Sequence, residues 1–210
     1  MREDVANRCV GCLLIDDLLS GENVLSGLFS SVELSRGRVR LFDCPEGANL
    51  HEQLQRAHHA ARKGRSGVAI AANGRGCDAA LALAEQLPVE RLALIAPEAR
   101  RFSDSRRSGA SPRLSRQANR LRAFARRNLA LCVCDVLIVE TAGARGGQAL
   151  REGGLCANSR VTQLSLMGER DKNLYNNGEF NLKTLILGFL QRGELPKSLA
   201  ENAEMCIIYE

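Results

Sequence analysis

The chain has 210 residues, of which 45% are hydrophobic, 25% charged and 4% aromatic, with a net charge of +5. This length and composition predict one medium globular domain whose core is built from Leu, Ala, Val and Ile, and they exclude a disordered chain. The sequence has no apolar run long enough to cross a bilayer and no secretory signal layout, so we expect a cytoplasmic protein without a membrane partner.

The first predicted elements are a buried strand at Cys9–Ile15 and a helix over Glu22–Ser35 with apolar residues at helical spacing. Two carboxylates, Asp16 and Asp17, follow the strand. They could bind a cation or cap the next helix. We favour the cap, because a short Asp side chain accepts hydrogen bonds from the free amides of a helix start.

A second strand and helix follow at Val39–Phe42 and Leu50–Lys63. The helix carries all three histidines of the chain, His51, His58 and His59. Adjacent positions on a helix point about 100° apart, so His58 and His59 are poorly placed to share one site. We expect all three side chains on a solvated helix face.

The centre of the chain reads as one strand–turn–helix–strand unit. Gly67–Ala72 predicts a buried strand, Asn73–Gly76 a sharp turn with two glycines, Cys77–Gln86 an Ala- and Leu-rich helix and Leu92–Ala96 a parallel strand. Amides at a helix start together with Arg75 could bind an anion. The candidate ligand-binding residues are therefore Asp16, Asp17, Asn73, Gly74, Arg75 and Gly76.

Positive charge is concentrated in one segment. Residues 100–127 contain ten Arg and one acid, a net charge of +9 against −4 for the rest of the chain. A Ser-, Gly- and Arg-rich loop is predicted to precede a helix there. The segment could bind an anion or a nucleic acid, but it lacks a nucleic-acid motif, so we expect a solvated face and regard nucleic acid as unlikely.

The later elements alternate in the same way: strands at Leu131–Glu140 and Val161–Met167 and a helix at Glu179–Gln191. The tail, residues 197–210, ends in an apolar run that predicts an added edge strand or a homodimer contact. The whole pattern predicts a single domain over residues 1–210, a three-layer α/β/α fold with a mostly parallel central sheet.

Eight cysteines are many for a cytoplasmic chain. The pairs Cys9–Cys12 and Cys132–Cys134 have short spacings that are compatible with zinc, but no His lies near either pair in sequence. We therefore expect buried thiols that pack as small hydrophobic side chains, and we predict neither a metal nor a cofactor.

The central turn resembles the nucleophile elbow of the α/β-hydrolase superfamily, a small-x-nucleophile-x-small pattern before a helix. Ala72 and Gly76 match the small residues, and Gly74 falls in the nucleophile position. The loop Asp43–Gly47 is close to the D-x-P-G-x-G loop of that superfamily. Residues 168–174 are similar to the loop that carries its catalytic His, with Lys172 at the matching position.

This resemblance implies a degenerate member that lacks the Ser/Asp/His triad. The three triad positions are Gly74, Lys172 and a loop without an acid, for which Glu140 is the nearest candidate. Asp16 and Asp17 occupy the loop that, in the superfamily, donates a backbone amide hydrogen bond to the oxyanion. Two carboxylates at this place would repel the negative charge of an oxyanion. Residues 98–128 fall where the superfamily carries lid insertions. The implied function is a pseudoenzyme that binds a small ligand or a protein.

Two alternatives remain open from the sequence. A hydrolase of esters or thioesters could use a displaced nucleophile, and Cys77 is the candidate because a helix start lowers a thiol pKa. We favour a packing role for Cys77. The other alternative is anion or nucleic-acid binding through the Arg-rich segment.

Overall fold

The computed structural model describes residues 10–19, 24–28, 39–98, 111–141, 144–166, 182–193, 195 and 205–208. Within them, seven strands form one sheet in the order β2-β1-β3-β4-β5-β6-β7. The strands are β1 (Gly11–Ile15), β2 (Val39–Leu41), β3 (Val68–Asn73), β4 (Arg91–Ile95), β5 (Asp135–Thr141), β6 (Arg160–Leu166) and β7 (Met205–Ile208). All neighbours pair in parallel except β6 and β7, which are antiparallel.

Helices cover both faces of this sheet. They are α1 (Val24–Leu28), α2 (Leu50–Arg62), α3 (Gly76–Ala84), α4 (Pro112–Arg127), α5 (Gly146–Glu152) and α6 (Leu182–Arg192). The core cluster on one face includes residues of α2, α3, α4 and α5, and the cluster on the other includes residues of α1 and α6. The predicted three-layer α/β/α architecture with a mostly parallel sheet is confirmed.

Strand β3, an interior strand of the sheet, is formed by a continuous apolar run. All six of its residues are buried, because helices cover both faces of a parallel sheet and leave neither side to water. The chain passes from β1 to β2 on one side and then returns to β3 on the other. This reversal places the carboxyl ends of β1 and β3 side by side, at the position where open α/β sheets leave a crevice.

The strand predicted at Leu131–Glu140 begins later than expected. Residues Leu129–Leu131 form a 3-10 turn, and Leu131 and Val133 are 60% and 70% exposed. The apolar run therefore starts before the sheet does. Within the tail, Met205–Ile208 form the edge strand β7, which confirms one of the two predicted roles; the homodimer contact stays a prediction.

The prediction for His58 was wrong. Its side chain is buried, and its Nε2 lies 3.0 Å from the Pro88 carbonyl oxygen, which accepts a hydrogen bond from it. Burial lowers the pKa of His58. Helix α2 thus turns His58 toward the core while the adjacent His59 faces solvent.

Helix α4, the second half of the segment assigned to a lid, is part of the fold itself. It is the crossover between β4 and β5, and it packs Ala118, Leu121 and Ala125 into the core. A lid-like insertion would be confined to residues 99–110, which lie outside the described residues. Most of the helix predicted over Glu22–Ser35 also lies outside them, apart from Val24–Leu28.

Candidate functional site

The turn after β3 has the predicted elbow geometry. Gly74 adopts a left-handed φ of 53°, a conformation that glycine takes without steric cost. Its amide donates to the Ile95 carbonyl oxygen at 3.0 Å, which fixes the turn against β4. Gly76 is needed for another reason: a Cβ there would lie 2.6 Å from the carbonyl oxygens of Ile15 and Asp16. The elbow therefore packs directly on the end of β1.

The carboxylate of Asp17 faces the position that a nucleophile would occupy. A Cβ built on Gly74 would lie 2.7 Å from Asp17 Oδ2, closer than real Cβ contacts come. The other oxygen of Asp17 accepts a hydrogen bond from the Leu19 amide at 2.9 Å, which holds the side chain in a tight turn. The elbow thus presents backbone and a neighbouring carboxylate in place of a nucleophilic side chain.

Asp16 and Asp17 have different roles although they are adjacent. Asp16 is buried, and its Oδ1 accepts a hydrogen bond from the Leu25 amide at 2.6 Å, in the first turn of α1. This contact is the helix-capping role that the sequence predicted. Of the two carboxylates in this loop, Asp16 therefore stabilises α1, and Asp17 faces the elbow.

A third carboxylate, which sequence analysis missed, completes the crevice. The chain turns after β4, where Ala96 has a left-handed φ of 47°, and Glu98 follows. Glu98 Oε1 lies 3.4 Å from Arg75 Nε on the elbow. Burial raises the pKa of Glu98, Asp17 raises it further, and Arg75 lowers it. Position after a buried strand end was the one signal that could have identified Glu98.

These contacts bear on the predicted anion site at Asn73–Gly76. Asn73 is buried at the end of β3, and Arg75 already pairs with Glu98. With Asp17 also at the elbow, the protein's own carboxylates lie where an anion would bind. Their negative charge opposes an incoming anion.

A buried ionic network anchors the helices around this crevice. Asp78 on α3 lies 3.3 Å from Arg122 Nη1 and 2.9 Å from Arg126 Nε, both on α4. The same two guanidinium groups donate to the Glu98 backbone carbonyl at 3.3 and 2.9 Å. The network therefore joins α3, α4 and the chain that leaves β4, and it fixes the backbone of Glu98.

The structure contradicts the proposal that Cys77 is an activated nucleophile. Cys77 is buried, and its Sγ faces the carbonyl oxygens of Ala72 and Ile95 at 3.4 and 3.5 Å. Burial raises the pKa of Cys77 well above its usual value, and this cost exceeds any lowering by the helix start. The thiol is a packed, protonated group, as its alternative packing role predicted.

The carboxylate of Glu140, the nearest candidate for the catalytic acid, makes hydrogen bonds that hold the fold together. Glu140 is buried on β5, where its carboxylate accepts from the Gly147 amide at 2.9 Å and from Gln163 Nε2 at 2.6 Å. It therefore holds the first turn of α5 to the sheet. Lys172, the third triad position, lies outside the described residues.

The cysteine pairs show no metal-binding arrangement in the part of the chain that the structure describes. Cys132 Sγ and Cys134 Sγ lie 3.5 Å apart. Over the described ranges, no group of three or more His, Cys, Asp or Glu side chains is placed to hold a metal ion. Cys9 lies outside the described residues.

No described helix is long and apolar enough to cross a membrane.

Comparisons with known proteins identify the fold. Neither a family model nor a curated protein matches the sequence. One of the metagenome-derived lipolytic enzymes LipS and LipT superposes with a TM-score of 0.65 at 11% identity, covering 88% of this chain and 94% of that chain. The chain has the α/β-hydrolase fold.

Two further solved structures agree with this fold. MenH from S. aureus has a TM-score of 0.55 at 11% identity, covering 90% of this chain and 96% of that chain. The thioesterase domain from the curacin biosynthetic pathway has a TM-score of 0.53 at 12% identity, covering 85% and 90%. At these identities the similarity concerns architecture, so the chemistry of this chain has to be argued from its own residues.

Proposed function

We propose that this protein uses the α/β-hydrolase fold to bind a ligand or a protein at the elbow crevice and does not hydrolyse esters or thioesters. One observation carries the proposal. The nucleophile position is occupied by Gly74, and a Cβ built on Gly74 would lie 2.7 Å from Asp17 Oδ2. Nucleophilic catalysis by this fold needs a reactive side chain at that point, with a base in hydrogen-bond reach.

The charges of the crevice support the same conclusion. Acyl transfer develops negative charge on a carbonyl oxygen, which hydrogen-bond donors stabilise. Here Asp17 and Glu98 place two carboxylates beside the elbow, with Arg75 as their neighbour. This arrangement repels an oxyanion and favours a ligand that carries an ammonium or another cationic group.

The remaining route to hydrolysis would need a displaced nucleophile. Cys77 does not supply one, since its thiol is buried and its pKa is raised. Asp17 is closest to the elbow, so an enzymatic role would have to depend on its carboxylate. A test of activity must therefore include Asp17 as well as the cysteine.

The experiment measures release of p-nitrophenol from p-nitrophenyl butyrate, and of thiol from a butyryl thioester, by the purified protein. We expect the background rate for the wild type, Asp17→Asn, Cys77→Ala and Glu98→Gln. Asp135→Asn, a carboxylate at the opposite end of the sheet, is the matched control. Turnover that a single one of the first three substitutions abolishes, while Asp135→Asn retains it, would overturn the proposal.

A further inference from the structure

Five of the six arginines of helix α4 fall into two groups with different surroundings, and the sixth, Arg127, is exposed outside both. Arg122 and Arg126 point inward and pair with Asp78. Arg113, Arg116 and Arg120 are exposed and line one groove. Arg116 Nε also donates to the Pro112 carbonyl oxygen at 3.2 Å, but this contact is exposed, and the guanidinium groups of the three groove arginines remain accessible to a ligand.

The groove lies between α4 and the beginning of α2 and has a volume of about 670 Å³. This volume is in the range of small-molecule sites. Besides the three arginines it is lined by polar groups that include Asn49 and His51 and by the apolar side chains Leu121 and Phe124. No Asp or Glu is among the lining residues. The titratable side chains of the groove are therefore all positive or neutral, with the arginines as its only fixed charges.

The polar floor of the groove is fixed in place. Gln117 Oε1 accepts from the Leu50 amide at 2.6 Å, and Gln117 Nε2 donates to the Ala48 carbonyl at 3.3 Å. Asn49 caps α2 by accepting from the amides of the first turn. Because Asn49 and His51 line the groove, the start of α2 borders it, and the positive end of a helix dipole adds to the potential of the arginines. A site that is already ordered loses little entropy on binding.

The spacing along α4 separates a charged end from an apolar end. Arg113 and Arg120 are about 10 Å apart along the helix axis, and Phe124 follows about 6 Å further on. Phe124 is 40% exposed. An exposed aromatic ring beside arginines offers a stacking surface for a planar base, while guanidinium groups bind phosphate oxygens through charged hydrogen bonds.

We infer that this groove binds a nucleoside polyphosphate, with the phosphates at Arg113, Arg116 and Arg120 and the base against Phe124. The charge of a polyphosphate complements a groove lined by three arginines and no acid. The aromatic end distinguishes this ligand from an inorganic anion. The groove shares no lining residue with the elbow crevice, so the inference is independent of the proposed function.

Titration calorimetry of the full chain at low salt tests the inference, with ATP, inorganic tripolyphosphate, adenosine and a single-stranded oligothymidylate as probes. The groove variant is Arg113→Gln, Arg116→Gln, Arg120→Gln. The matched control removes three exposed arginines outside the groove, Arg56→Gln, Arg62→Gln, Arg127→Gln. Phe124→Leu tests the stacking surface, and thermal unfolding verifies that each variant is folded.

We expect the groove variant to weaken ATP binding at least about tenfold and the control by less than about threefold, since only the first loses direct phosphate contacts. Phe124→Leu should weaken ATP but leave tripolyphosphate unchanged. Equal losses in the two triple variants would mean unspecific charge attraction and overturn the inference. Equal affinity for tripolyphosphate and ATP, or tighter binding of the oligothymidylate than of ATP, would overturn it as well.

Discussion

The two ends of helix α3 carry carboxylates that differ in their charged partners. Asp78, in the first turn, is buried between the guanidinium groups of Arg122 and Arg126. Glu85, which caps the last turn, has no hydrogen-bond partner for either carboxylate oxygen within the described structure. Burial, with Cys132 as the next contributor, raises the pKa of Glu85 to about 8. Burial raises the pKa of Asp78 as well, but Arg126 and Arg122 lower it, whereas no described cation does so for Glu85. We therefore expect the two carboxylates to affect the stability of the fold differently.

The largest effect is expected at the paired end. Asp78→Ala leaves Arg122 and Arg126 beside an empty buried position, and an uncompensated buried charge costs about 3–5 kcal/mol of unfolding free energy. Urea unfolding at neutral pH measures it. The control is Asp135→Ala, which removes a carboxylate from the exposed pair with Arg160 and should cost less than about 1 kcal/mol. Similar losses in the two variants would remove the distinction between buried and exposed pairs.

The unpaired end should respond in the opposite direction. The pKa of Glu85 is about 8 in the folded protein, above its usual value. The unfolded chain therefore loses this proton first, and stability falls as pH rises from about 4.5 to about 8. Glu85→Gln should remove this decline and stabilise the protein at pH 8.5 by about 2 kcal/mol, after allowance for partial exposure. Unfolding curves at pH 5 and pH 8.5 test it, and a variant as pH-dependent as the wild type would contradict it.

His58 extends the comparison to a buried base. Burial lowers its pKa, so the folded protein resists protonation while the unfolded chain accepts a proton near pH 6.5. Its contribution to stability is complete above that pH and is lost as pH falls below it. His58→Gln should flatten this acid limb, whereas the exposed neighbour His59→Gln should retain it. The effect should be smaller than that of Glu85, and an unchanged acid limb in His58→Gln would show that another group causes it.

Much of the fold could be predicted from local patterns. The apolar run before Asn73, the two glycines of the turn and the Ala-rich helix after it specified the elbow, because each depends on neighbours in sequence. The capping role of Asp16 also followed from its place before a helix. These features need only the local chain, so one sequence was sufficient for them.

The missed features all depend on contacts between distant segments. Glu98 reaches Arg75 across the elbow, and Asp78 meets arginines more than forty positions further along. The buried state of His58 is set by the Pro88 carbonyl, thirty residues away. Charge counting treated the Arg-rich segment as one surface, but packing of α4 divides it into an inner and an outer face. Periodicity alone does not give partners of this kind.

The smallest stability effect should come from the outer face of α4, and it completes the comparison. Arg113, Arg116 and Arg120 are exposed, so each substitution by Gln should change the unfolding free energy by less than about 0.5 kcal/mol. Arg122→Gln, on the inner face of the same helix, should cost several times more because it leaves Asp78 with one guanidinium partner. Urea unfolding of the four single variants measures the loss of unfolding free energy on each face of α4. All four carry the same Arg→Gln substitution, so the values can be compared directly. If an outer arginine cost as much as Arg122, the outer face would also hold the fold together, and the division of α4 into a structural and a ligand-binding face would be wrong.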